Sequence, residues 1–166
     1  MLQQALQYHQ TGQLSQAEVL YRQILQEDPN NSQILHLLGL IAAQHKHYGV
    51  AEELITKAIL LDDSVPDFYN NLGNVLNEQG KLAQATTCYQ RALTFNPDDV
   101  EACNNLGSVL TAQGKLTEAT TYYQRALSLN PKLVEVHNNL GSVLRRLGRL
   151  EEALACYQRA LALSPQ

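Results

Sequence analysis

The sequence predicts an all-α chain, a solenoid of five stacked helical hairpins, and three observations predict it. The first is a fixed period: Asn71-Leu72-Gly73, Asn105-Leu106-Gly107 and Asn139-Leu140-Gly141 stand 34 residues apart, and such a step is the mark of a repeat architecture. The second is the punctuation. Eight of the nine glycines fall at two places in the period, Gly39, Gly73, Gly107 and Gly141 at position 8 and Gly12, Gly80, Gly114 and Gly148 at position 15. The third is the recurrence of Ala85, Ala119 and Ala153, of Tyr89, Tyr123 and Tyr157, and of Pro97, Pro131 and Pro165 at the same step.

The repeats span residues 1–31, 32–65, 66–99, 100–133 and 134–166, together one domain over 1–166, with the first three positions of repeat one missing. In each repeat, positions 4, 7, 8 and 11 form one stripe at helical spacing, Tyr69, Leu72, Gly73 and Leu76 in repeat three and Cys103, Leu106, Gly107 and Leu110 in repeat four. That stripe is expected to be buried. Glycine at 15 ends this first helix and turns the chain. A second helix follows with its own stripe at 17, 20, 24, 27 and 28, which is Leu82, Ala85, Tyr89, Ala92 and Leu93 in repeat three. Proline at 32 stops it. Glycine at 8 and alanine at 20 and 27 remove side chains where helix axes approach, and the ring at 24 fills the remaining gap. Repeat two departs most, with Lys46 at 15, Ile55 at 24 and Asp63 at 32.

This pattern resembles the tetratricopeptide repeat, and the resemblance covers essentially the whole chain. It implies a right-handed α-solenoid of five helix-turn-helix repeats whose first helices line a concave groove that binds peptides or partner proteins. No tryptophan stands at position 4, where Tyr69, Cys103 and His137 are found.

Composition bounds the function. Twelve basic residues against sixteen acidic ones give a net charge of −4, which repels nucleic acid rather than gathering it by counterion release. Repeats one and two hold three basic and seven acidic residues, and repeats three to five nine of each. No apolar run reaches the ~18 residues of a membrane span. The start of the chain lacks the basic and apolar regions of a secretory signal. Cys88, Cys103 and Cys156 have neither metal nor disulfide spacing, so a reducing, cytoplasmic setting is expected and all three read as small buried hydrophobes. The sequence contains no Gly-x-Ser-x-Gly elbow and no phosphate loop, and Thr86, Thr87, Thr120 and Thr121 lie mid-helix with no base beside them. The expectation is a chain that is not itself an enzyme and uses no cofactor.

The informative polar feature is a second stripe of the first helix, positions 2, 6, 9 and 13. It reads Asp67, Asn71, Asn74 and Glu78, then Glu101, Asn105, Ser108 and Ala112, then Glu135, Asn139, Ser142 and Arg146. An amide offers both donor and acceptor, so asparagine at 6 can pair with the backbone of an extended peptide without reading its sequence. Rungs about 10 Å apart would meet roughly every third residue of a chain that rises about 3.3 Å per residue. The candidate peptide-binding set is therefore Asp67, Asn71, Asn74, Glu101, Asn105, Ser108, Glu135, Asn139 and Ser142. Such a ladder is similar to the asparagine-lined repeats of O-GlcNAc transferases and SPINDLY-type glycosyltransferases. The resemblance rests on Asn71, Asn105 and Asn139, because Gln3 and Leu37 occupy the position in repeats one and two. It implies a second reading, the recognition arm of a larger glycosyltransferase. The alternative for the asparagines is that they bridge neighbouring repeats and meet no ligand.

Three smaller features remain. His45-Lys46-His47 reads as a solvated helix end rather than a metal site, because residues two apart on a helix point away from each other. Arg145, Arg146 and Arg149 form a basic cluster, either helix-end charge or a docking patch for an acidic partner. The last helix carries Leu150, Leu154, Tyr157 and Leu161, apolar residues that a further repeat would cover, so self-association through this edge is expected.

Overall fold

The computed structural model describes residues 1–164, and its described residues form ten α-helices and no strand. Pro165, the expected stop of the fifth repeat, and Gln166 lie outside the described residues. Residues 1–79 form one compact unit with α1 Leu2–Gln10, α2 Leu14–Glu27, α3 Ser32–Gln44, α4 Tyr48–Leu61 and α5 Pro66–Glu78. The second unit begins at Gly80 and holds α6 Leu82–Phe95, α7 Val100–Ala112, α8 Leu116–Leu129, α9 Val134–Arg146 and α10 Leu150–Leu163. Helix boundaries follow the expected repeat boundaries throughout.

The turns explain the boundaries. In repeat four, Gly114 takes φ +77°; its N–H reaches Thr111 O at 3.1 Å, and Lys115 N–H reaches Leu110 O at 2.9 Å. These two bonds are the αL closure that satisfies the last carbonyls of a helix. Repeat two makes the same turn without glycine. Lys46 sits at φ +61°, with its N–H on Ala43 O at 2.9 Å and His47 N–H on Ala42 O at 2.8 Å. A side chain in this region costs about 1–2 kcal/mol, so Lys46→Gly is expected to stabilise the chain by about 1 kcal/mol. A denaturation midpoint unchanged or lowered by Lys46→Gly would contradict this account of the turn.

Within the turn the two histidines stand exposed at helix ends, as expected. His45 caps α3 and His47 precedes α4, so they flank the bend instead of sharing a helix, and their rings meet edge to face at 6.1 Å. No group of three His, Cys, Asp or Glu side chains arranged to hold a metal ion exists among the described residues.

The notch between positions 8 and 24 is built as the sequence suggests. A Cβ on Gly107 would lie 2.8 Å from Tyr123 Cε1, one on Gly141 2.8 Å from Tyr157 Cε1, and one on Gly39 2.6 Å from Ile55 Cγ1. The isoleucine of repeat two thus fills the same space as the tyrosines. Burial of the first helix is broader than the single expected stripe. Ile34, Phe68, Ala102 and Val136 at position 3 and Ile41, Val75, Val109 and Val143 at position 10 are all buried, because the helix packs on the preceding repeat as well as on its own partner. At position 4, by contrast, Leu35 and Cys103 are buried while Tyr69 and His137 are half-buried. Cys88 and Cys156 are also half-buried rather than buried, and none of the three cysteines forms a disulfide. Burial raises the Cys103 and Cys156 thiol pKa values.

A periodic strut was not foreseen. Glutamine at position 14 reaches position 21 of the preceding repeat: Gln79 Nε2 donates to Glu52 Oε2 at 2.9 Å in the first unit, and Gln113 Nε2 donates to Thr86 Oγ1 at 2.9 Å in the second. Thr86 in turn donates to Leu82 O at 2.9 Å, which gives the mid-helix threonine a structural role.

Candidate functional site

In the first unit the polar stripe opens into a cleft of about 430 Å³ between α3 and α5, within the size range of ligand clefts. Leu40, Ala43 and Gln44 come from α3, Tyr48 from the start of α4, and Asn71, Asn74, Val75 and Glu78 from α5. Helical spacing puts Asn71, Asn74 and Glu78 on one face. Tyr48 Oη donates to Glu78 Oε2 at 3.1 Å, and Gln79 Nε2 holds the Tyr48 carbonyl at 3.1 Å, so the rim of the cleft is fixed from two sides. Asp67, one turn back on α5, is exposed.

Behind the cleft stands a histidine. Asn71 Nδ2 donates to His36 Nε2 at 3.0 Å, which requires the His36 proton on Nδ1. The ring lies against Phe68 with centroids 4.6 Å apart and is 8% exposed. Burial, aided by the charge of His9, lowers its pKa to about 4. The amide of Asn71 is thus tied to the neighbouring repeat, as the bridging reading anticipates, while the residue stays half-buried at the cleft wall. His36 and Tyr48 were not among the sequence candidates. The only sequence signal for His36 is its place beside the polar stripe, and Tyr48 gave none.

In the second unit α7 and α9 pack on one another and carry the matching stripe. Glu101, Ser108 and Glu135 are exposed, and Asn105, Asn139 and Ser142 are half-buried. Burial raises the Tyr123 phenol, partly offset by hydrogen bonding to Thr111 and Ser108, so Ser108 also serves the packing beneath it. Arg149 forms a bidentate pair with Glu152, both bonds 2.7 Å, and Arg146 reaches toward Thr111 O at 3.5 Å. On α10, Leu150, Leu154 and Leu161 are 59%, 57% and 63% exposed. Tyr157 is half-buried against Gly141, and with Leu161 it lines a hollow of about 350 Å³.

Helical pairs, a glycine notch against a ring at 24 and a polar face on the first helices define a repeat-type interaction fold. Models of the tetratricopeptide repeat match residues 1–31, 73–113 and 98–166. The chain belongs to the tetratricopeptide repeat family. It is 35% identical over 95 residues to protein O-mannosyl-transferase TMTC1 of Mus musculus, a match over 55% of this chain and 10% of that protein. The chain therefore spans about a tenth of the length of that relative. Among solved structures it is similar to Pseudomonas aeruginosa PilF, TM-score 0.90 at 26% identity over 99% of this chain and 75% of that one. It is also similar to MamA, TM-score 0.89 at 24% identity over 96% and 93%. No helix among the described residues is long and apolar enough to cross a membrane.

Proposed function

We propose that the chain is a non-catalytic scaffold that holds an extended peptide or partner segment against the polar stripe of its first helices. The observation that carries this reading is the recurrence of amide, hydroxyl and carboxylate groups on that stripe, opening in the first unit into the α3–α5 cleft. A tetratricopeptide fold is in general a platform for protein partners, and this stripe is where such a partner gains backbone hydrogen bonds. A cytoplasmic setting, expected from the cysteine usage, belongs to the same proposal.

Asn139→Ala tests it better than Asn71→Ala, which would also break the bond to His36. It is expected to weaken a peptide selected from an array by about 0.5–1.5 kcal/mol, the net value of a neutral hydrogen bond, with the melting temperature unchanged. A marked loss of stability with affinity untouched would make the asparagines inter-repeat struts and end the groove reading.

The match to TMTC1 favours a second reading, in which these repeats are the recognition arm of a larger glycosyltransferase whose chemistry lies in other residues. A full-length gene that encodes no transferase domain would contradict it. The exposed leucines of α10 support self-association through that edge, since broad apolar patches are uncommon on monomers. Sedimentation is expected to show a concentration-dependent dimer that Leu154→Glu with Leu161→Glu returns to monomer. A monomer at high concentration, insensitive to these changes, would contradict it.

A further inference from the structure

The α3–α5 cleft is lined by one charged group. Glu78 stands at one end, and Leu40, Ala43 and Val75 supply apolar wall. Tyr48 donates to a single oxygen of the carboxylate, which fixes its orientation and leaves acceptor capacity, because an ionised carboxylate has about four lone-pair sites. No basic residue lines the cleft. The surrounding unit, residues 1–79, holds nine acidic residues against three basic ones, a net −6, whereas the remainder of the chain is net +2.

We propose that this cleft is a subsite for a basic side chain of the bound segment, arginine above all. The inference rests on the reading of the stripe as a peptide-binding surface and names what one part of it selects. An arginine or lysine lays its methylene stem along apolar surface while its charged head stays at the polar end, and Leu40, Ala43 and Val75 with Glu78 present that combination in order. A guanidinium can meet a carboxylate through two parallel N–H donors, which an ammonium cannot. The other side-chain classes fit worse. An acidic side chain meets Glu78 and the field of the whole unit. A purely apolar one desolvates the Glu78 carboxylate without pairing it.

The test uses the full chain and two probes: an acetylated, amidated nonapeptide of alternating alanine and serine with a central arginine, and the same peptide with citrulline, the neutral isostere. Amide NMR titration is expected to give shifts at Ala43, Asn71, Asn74 and Val75 with both peptides. The arginine peptide should bind about fivefold more tightly, the scale of one solvent-accessible ion pair, and the advantage should shrink in 1 M salt. Glu78→Gln should erase the arginine peptide's advantage over the citrulline peptide. Equal affinities with shifts at the cleft would overturn charge selection and leave the groove reading standing. No shift at Asn71 or Asn74 with either peptide would overturn both.

Discussion

Tyr123→Ala is expected to lower the stability of the second unit by about 3–5 kcal/mol, the range for truncating a large buried ring. Tyr123 is 2% exposed, and its ring occupies the space that a side chain on Gly107 would need, with Cε1, Cδ1 and Cζ at 2.8, 2.9 and 3.0 Å from the virtual Cβ. The pair makes a sharper test than either residue alone. Gly107→Ala in the native background forces a methyl into that ring and should cost about 1–3 kcal/mol by overpacking. In the Tyr123→Ala background the obstacle is gone, and the helix preference of alanine over glycine, about 1 kcal/mol, should make the same substitution stabilising. Denaturant unfolding of the four chains reads this reversal of sign as a coupling energy. Additive effects would show that the notch at positions 8 and 24 does not govern the packing of the repeat.

Acid is expected to unfold the first unit through His36. Its native pKa of about 4 lies below the usual 6.5, so between these values the unfolded chain binds the proton and the native chain does not. The stability associated with a neutral, buried imidazole is full above pH 6.5, falls as the pH drops toward 4, and is constant below that. A gap of this size corresponds to about 3 kcal/mol. His9 shifts in the same direction through its own burial, so it adds to the loss. Urea unfolding at steps from pH 7.5 to 4 should show the decline, and His36→Gln should flatten much of it. An imidazole signal of His36 titrating near pH 6.5 in the folded chain would contradict this account.

The hairpins were legible because the elements that shape them are local. A glycine that turns the chain, a proline that stops it and an alanine that admits a helix act within a few residues; the alanine recurs in all five repeats, the glycine and proline in all but repeat two. Lys46 shows how little the pattern depends on any one of them, since the turn forms at φ +61° with the same two bonds as its glycine counterparts. Inter-repeat geometry was the illegible part. A single hairpin gives one buried stripe, whereas Val75, Val109 and Val143 are buried because a preceding repeat adds a second contact face. The bond from Asn71 to His36 joins position 6 of one repeat to position 5 of the one before, an offset that inspection of one period cannot reveal. The reach of Tyr48 to Glu78 is of the same kind. The stripe itself was readable by spacing; its cleft required the neighbouring helix.

Photo-crosslinking with an array-selected peptide, its central residue replaced by a diazirine-bearing one, addresses the claim that the first helices form the ligand surface. Mass spectrometry of the crosslinked chain is predicted to place the adducts on α3, α5, α7 and α9, at or beside Asn74, Ser108 and Ser142. Adducts confined to the second helices, α2, α4, α6 and α8, would contradict it.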